Sequence, residues 1–233
     1  MYLAAMQPHF FPWCGYMALL DYVDEFIILD DVQFDKRSWQ QRNNINLHDK
    51  NFKLTIPVKS KKKSTQKINE AEIDYSLNFI QKHKKNLEFA YKKFPYFKKY
   101  YNEICEIYDK KHHFIIDLNL EFINYFIKKL NINTKLILKS NLNINSKKEN
   151  MIIDICNLRQ CKNYISTHGS KEYLKLIDKK KIVFNIFLYD FECKPYYNNK
   201  EKFLTHLSFV DLLFYKGENS IEYLRDNFRF KKL

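Results

Sequence analysis

Residues 2–31 read YLAAMQPHFFPWCGYMALLDYVDEFIILDD, and the order of character along them decides the fold. The apolar run 2–6 has strand character and is stopped by Pro8, which offers no N–H to a ladder. Residues 7–13 form a loop restricted by Pro8 and Pro12. Over residues 15–22, Met17 and Leu20 recur at helical spacing, and Val23 extends the same face. The apolar run 26–29 reads as a second strand, with Asp30 and Asp31 at its carboxyl end. Strand, loop, helix, strand predicts a right-handed parallel βαβ unit. Ligands of such sheets collect beyond the carboxyl ends of the strands, where the 7–13 loop and the two aspartates would project together.

Further along, residues 52–58 read as a strand, with Pro57 marking it as an edge. Residues 59–67 are a polar, charged connection expected to be mobile. Residues 75–93 and 97–110 read as amphipathic helices separated at Pro95. Residues 115–130 form a third helix, with Leu118, Phe122 and Phe126 at spacing four. Strand character returns at 135–139, followed by a helix at 151–158, a strand at 163–167, a helix at 170–178 and a strand at 182–188. A short helix covers 207–214, ending near Gly217, and 228–233 reads as a basic tail. This alternation predicts an α/β fold: a mostly parallel Rossmann-like sheet with flanking helices and a helical insertion or cap in the middle of the chain. Residues 1–74 and 132–233 would be the two parts of one α/β domain, with 75–131 as the inserted helical lobe.

A chain of 233 residues, 45% hydrophobic and 17% aromatic, is too apolar to be disordered. Its abundant Phe, Tyr, Lys, Asn and Ile follow the codon preference of an AT-rich genome, so part of the composition carries no function. The net charge of +13 is compatible with an anionic surface, a polynucleotide or a phosphorylated small substrate. The lysines are scattered in runs such as 59–63, 110–111 and 179–181, and arginine is scarce. That pattern weighs toward solvated faces and against nucleic acid as the partner. The five cysteines show no pairing pattern, and Cys156 and Cys161 match neither a CxxC site nor a zinc knuckle. No charged leader with a long apolar core and no membrane-length apolar run is present, so a cytoplasmic, reducing location is expected.

Several groups have chemical capability. The 7–13 loop feeds a helix N-terminus, a natural phosphate site if Gly15 allows close approach, or a plain strand-to-helix turn. It lacks the GxGxxG and GxxxxGK[ST] spacings. Asp30 and Asp31 could hold a divalent cation, an amine or a sugar hydroxyl, or one could serve as general base; the alternative is an Asx-type turn. Lys36, Arg37 and Arg42 are interleaved with Phe34 and Trp39, suiting phosphate and a base or sugar face, or else ion pairs back to the aspartates. His168, Gly169 and Ser170 follow a strand and open a helix. His168 is the favoured histidine for acid–base work and His9 the alternative, while Ser166, Thr167 and Ser170 could simply cap. Cys14, at a helix start, reads chiefly as a packing residue.

Two resemblances follow from these residues. The opening layout resembles nucleotidylyltransferases and pantothenate synthetase, which carry HxGH at the helix start; here Trp13, Cys14, Gly15 and Tyr16 occupy those positions and both histidines are absent. More specifically, QPHFFPWCGY (7–16), DEFIILDDVQFDKRSWQQRN (24–43), LTIPV (54–58), YISTHGSKEYL (164–174) and LSFVDLLFYKG (207–217) together resemble the WbqC-like protein family. The resemblance makes Gln7, Pro8, Pro12, Trp13, Gly15, Tyr16, Asp30, Asp31, Gln33, Lys36, Trp39, Arg42 and Asn43 the motif positions. His9, Gln41 and Tyr215 depart from the family's usual residues. The family's members lie in bacterial gene clusters for O-antigen and other surface polysaccharides, and one has been suggested to be a glycine transferase. The resemblance thus implies acyl or aminoacyl transfer to an amino sugar, nucleotide-linked, with Asp31, Asp30, His168 and Tyr16 as catalytic candidates. Gln7, His9, Trp13, Gly15, Gln33, Lys36, Trp39, Arg42, Asn43, Gly169 and Ser170 would bind substrate. ATP or another activated acyl donor would be the co-substrate, no metal site is called, and a homodimer is open. The alternatives are a non-catalytic nucleotide-sugar or nucleic-acid binding protein and a nucleotidylyltransferase-like enzyme.

Overall fold

The structure is a computed structural model that describes residues 1–59, 65–175, 177, 182–197 and 203–233. Its centre is β1 (Tyr2–Met6), an uncharged strand that can be buried on both faces. β1 pairs in parallel with β2 (Glu25–Ile28), from Leu3 opposite Glu25 to Met6 opposite Ile28. On its other side it pairs in parallel with β6 (Asn163–Ser166). β5 (Lys135–Leu138) lies outside β2, and β7 (Asn185–Phe191) lies outside β6, both parallel to their neighbours. β8 (Phe228–Lys232) closes the six-stranded sheet antiparallel to β7. The order β5-β2-β1-β6-β7-β8 is the Rossmann order 3-2-1-4-5-6 with its last strand reversed. The α/β, mostly parallel sheet expected from the sequence is therefore present.

Residues 228–233 are not a tail. Phe228 and Phe230 alternate with Arg229 and Lys231, a period of two hidden by the charges, and an edge strand tolerates those charges facing water. The strand expected at 52–58 is also displaced. β3 (Arg42–Leu47) and β4 (Lys50–Thr55) form a separate antiparallel hairpin, and Pro57 lies outside it. The intervening His48 and Asp49 both adopt positive φ, 54° and 58°, as a type I′ turn requires. Neither residue is the Asn-Gly or Asp-Gly pair that would announce such a turn, so β3 is silent in the sequence.

Helix α1 (Cys14–Tyr22) is buried from Cys14 through Leu20. The three central helices are α2 (Phe79–Tyr91), α3 (Phe97–Asp109) and α4 (Ile115–Leu130). α2 starts later than expected because residues 75–77 form a 3-10 turn and Asn78 is left-handed. α5 (Lys148–Leu158) and α6 (Lys171–Leu174) follow, then α7 (Phe209–Lys216) and α8 (Ser220–Asp226). The expected helix over 170–178 is limited to the short α6, and positions 176 and 178 lie outside the described residues. So do 60–64 of the expected mobile connection and the lysine run 179–181. Alternate residues of β1 serve two cores: Ala4 faces an aromatic-rich cluster with α1, α4 and α7, whereas Leu3 and Ala5 face a smaller one with α5. Among the described residues no helix is long and apolar enough to cross a membrane.

The loop between β1 and α1 is buried, and its backbone groups must therefore find partners inside the protein. Phe10 N–H donates to the Trp39 carbonyl at 2.9 Å, and the Pro12 carbonyl accepts from Phe209 N–H at 2.8 Å. Asn43 Nδ2 donates to the Phe11 carbonyl at 2.6 Å. Asn119, fully buried on α4, donates through Nδ2 to the carbonyls of Pro8 (3.3 Å) and Gln40 (2.7 Å). Phe11 itself holds φ at 43°, strained for a bulky residue, and is clamped by ring contacts to Phe10 at 4.5 Å and Phe122 at 4.4 Å. Replacing Asn119 by leucine keeps the branched side-chain shape and orphans both carbonyls. The expected loss is about 1–3 kcal/mol for each group left unpaired, read as a lower urea midpoint with an unchanged m-value.

Candidate functional site

Strand order reverses at β1, which has β2 on one side and β6 on the other; open α/β sheets bind ligands beyond that point. The 7–13 loop leaves β1 there, residues 29–34 leave β2, and residues 167–170 leave β6. A further segment joins them: Phe34 N–H donates to the Gln66 carbonyl, Ile68 N–H to Val32 and Asn69 N–H to Asp30, all at 2.9–3.0 Å. Five side chains on these segments and on α1 have buried polar atoms with no partner among the described residues: His9 Nδ1, Tyr16 Oη, Asp31 Oδ1, both amide atoms of Gln66, and Asn69 Oδ1. Buried polar atoms are almost always paired, so this concentration marks a place where a ligand has groups to meet.

The two aspartates divide their work. Asp30 is 2% exposed and accepts the Ser140 N–H at 2.9 Å, capping the turn after β5. Asp31 Oδ2 accepts from Lys139 Nζ at 2.8 Å, and the lysine side chain is only 7% exposed. One oxygen of each aspartate is committed, Asp30 Oδ1 to an amide and Asp31 Oδ2 to an ammonium, so the two do not stand as a free carboxylate pair for a divalent cation. Among the described residues no three His, Cys, Asp or Glu side chains gather into a metal-holding group. Among the described residues Arg42 does not pair with the aspartates; Lys139, from β5's carboxyl end, takes that place.

His9 packs between Tyr16 (ring centroids 4.8 Å) and Trp39 (6.2 Å, nearly parallel). Burial lowers its pKa to about 3, so it is a neutral imidazole. Tyr16 is buried against Phe26, and burial holds its hydroxyl well above the ordinary tyrosine range, keeping it protonated. Gln7 accepts from Gln40 Nε2 at 2.8 Å, tying the two motif loops together. Gly15 has a structural reason: a Cβ there would lie 2.3 Å from the Trp13 ring, which covers the start of α1. That ring stacks on His206 at 5.3 Å and meets Phe191 edge-on, so Trp13 and Gly15 close the expected phosphate site at this helix end rather than open it. The Cys14 thiol beside them is buried and pushed up by burial, a packing residue.

Downstream, Phe34 is 5% exposed in the core, whereas Trp39 is 41% exposed. Only Trp39 of the two presents a face to a ligand. It lines a hollow of about 220 Å³ with Arg37, Ser38, Arg42, Asn43, Asn44 and Lys53. Gln33 and Lys36 are exposed on the same loop but do not line it. At the other side of the switch point, His168 and Gly169 are exposed, and His168 Nε2 lies 3.4 Å from Asp190 on β7. Ser170 Oγ donates to the Thr167 carbonyl at 2.6 Å and meets Ser166 Oγ, so both serines are used locally, though not as side-chain caps of the turn at 168–170. His168 thus leans toward β7 and Asp31 toward β5, from strands about 10 Å apart. The geometry brings together His9, Tyr16, Trp39, Gln7 and Gln40, but does not join His168 to the aspartates. Sequence reasoning missed Lys139, Gln40, Gln66 and Asn69. Lys139 is one of 40 basic residues and nothing local distinguishes it.

The profile of the WbqC-like protein family matches residues 7–223. The chain is also similar to the uncharacterized protein Rv1507c of Mycobacterium tuberculosis, at 30% identity over 226 residues, covering 96% of this chain and 97% of that protein. No solved structure matches it. The chain belongs to the WbqC-like protein family.

Two buried histidines make the fold acid-sensitive in a defined window. Burial holds His9 at about 3 and His83 at about 4, below the ordinary 6.5. The unfolded chain therefore takes up protons that the folded chain does not, and their contribution, full above pH 6.5, is lost as pH falls toward those values. Each proton is worth about 1.4 kcal/mol per pH unit. Urea midpoints measured between pH 7 and pH 5 are expected to fall less steeply in His9→Phe than in the wild type, by about half, with His83 supplying the rest.

Proposed function

We propose that this member of the WbqC-like protein family is a transferase of bacterial surface-polysaccharide biosynthesis that forms an amide by acyl or aminoacyl transfer, glycyl included, to an amino sugar. The observation that carries the reading is the Asp31 carboxylate at the switch point of a Rossmann-order sheet, with Oδ2 held by Lys139 and Oδ1 unpartnered. The ion pair orients the Asp31 carboxylate and leaves Oδ1 as an acceptor for a proton.

In this reading the neutral amine nitrogen attacks the carbonyl carbon of the activated acyl donor, and the N–C bond forms. The nitrogen's proton passes to Asp31 Oδ1, and the tetrahedral intermediate collapses as the leaving group departs with its bonding electrons. Tyr16, protonated by its burial, and loop amides would supply hydrogen bonds to the oxyanion. The donor arrives activated, through ATP, a thioester or a tRNA ester, because a free carboxylate resists nucleophiles. His168, paired with Asp190 and exposed, is the other candidate base.

Incubation with amino-sugar nucleotides and activated acyl donors, read by mass spectrometry, is expected to yield an amide product. Asp31→Asn is expected to lower kcat by about 10²- to 10⁴-fold, with Asp31→Glu recovering part of the rate and both variants melting cooperatively. Full activity in Asp31→Asn would remove Asp31 from the mechanism and favour His168. Saturable binding without turnover would instead identify a nucleotide-sugar-binding protein.

A further inference from the structure

The hairpin formed by β3 and β4 helps to gather cations around a hollow whose lining has no carboxylate. Arg42 and Asn44 alternate with the buried Asn43 and Ile45, so they project to the outer face, and Lys53 is the β4 partner of Asn44 on that same face. Arg37, held at φ 65° in the preceding turn, adds a third cation beside Trp39. The hollow they enclose has no carboxylate in its lining, and none of the three cations pairs with an acid among the described residues. Several other basic residues face acids: Lys84 pairs with Asp109, Lys129 with Glu103, Arg159 with Glu25, and Arg225 with Asp21. Like charges left together in a concave site repel one another and raise the local potential, a cost that a bound anion removes.

We propose that the hollow lined by Arg37, Trp39, Arg42, Asn44 and Lys53 is a subsite for the diphosphate of a nucleoside-diphosphate-linked substrate, with the Trp39 face against the adjoining base or sugar. Guanidinium forks match paired phosphate oxygens, and the lysine supplies a mobile point charge. At about 220 Å³ the hollow is smaller than the roughly 300–1,000 Å³ of sites that take up a whole ligand. It therefore takes the charged middle of a molecule whose ends lie outside. One end has a direct route to the switch point: Trp39 stacks on His9, its carbonyl accepts from Phe10 N–H, and Asn43 is bonded to Phe11. An amino sugar attached to the diphosphate would pass along this wall toward Asp31. This assignment rests on the transferase reading only for the identity of that sugar end.

Calorimetric titration with inorganic pyrophosphate, ADP and UDP tests it. Pyrophosphate is expected to bind, and the nucleoside diphosphates at least about fivefold more tightly through stacking on Trp39. Arg37→Gln, Arg42→Gln and Lys53→Gln are each expected to weaken all three by about tenfold or more, as loss of a charge-assisted contact does. Trp39→Ala should abolish only the preference over pyrophosphate, and Lys67→Gln, outside the hollow, should change nothing. No binding of pyrophosphate, or equal weakening by Lys67→Gln, would overturn the subsite. So would tighter binding of a single-stranded RNA oligomer with a steep dependence on salt, the mark of a polynucleotide groove. Asp31→Asn should leave pyrophosphate affinity unchanged. Binding without any transfer activity would then count against the transferase reading alone, and transfer activity without diphosphate binding against the subsite alone.

Discussion

The constraint on which the structure depends is that the loop between β1 and α1 is buried and cannot turn to water for its hydrogen bonds. Loops normally run over the surface because a buried one carries polar groups that are costly to leave unpaired. Here the loop's groups are met by Trp39, Asn43, Asn119 and the start of α7. Those partners come from three separate parts of the chain, so satisfying one loop assembles the hairpin with its preceding turn, the central helices and α7 around the end of the sheet. The strained Phe11 persists because the surrounding contacts leave it no alternative.

That assembly divides polar side chains into those used by the fold and those left over. Asp30, Asn43, Ser166, Ser170 and the Nδ2 of Asn119 are used by backbone groups or by one another. His9, Tyr16, Gln66, Asn69 and one oxygen of Asp31, at the carboxyl end of the strands, are among the buried groups left without partners among the described residues. A similar sorting applies to charge. A chain with net charge +13 pairs many of its basic residues across helices and strands, yet leaves Arg37, Arg42 and Lys53 together on one hairpin face. The leftover acceptors and the leftover cations lie on two sides of the Trp39–His9 stack, which makes that stack the hinge of the functional reading.

Much of the fold was legible because its signals are local. The prolines and the apolar runs around the first loop announce strand, loop, helix and strand, and Leu118, Phe122 and Phe126 announce α4 by their spacing. The hairpin was not legible, since its turn uses His48 and Asp49 in conformations that their side chains do not advertise. Strand β8 was hidden by cations that an edge position tolerates. In the candidate site, the motif residues were legible as a group, but their roles were not. Gly15 answers to the Trp13 ring, Trp13 turns to His206 and Phe191, and Phe34 enters the core. Each looked available for a ligand until its neighbours were known.

By itself the sequence determined the α/β class, the parallel pairing at the start of the chain, the placement of the motif beyond the strand ends and the family resemblance. These depend on periodicity, backbone-restricting residues and residue identity, all of which are carried along the chain. The tertiary structure decided which carboxylate keeps a free oxygen, which lysine partners it and which cations remain together. Lys139 lies 108 positions from Asp31, and Asn119 lies 111 from Pro8. Pairings at such separations follow from strand order and helix packing, because electrostatic and hydrogen-bond energies depend on distance in space and are blind to distance along the chain.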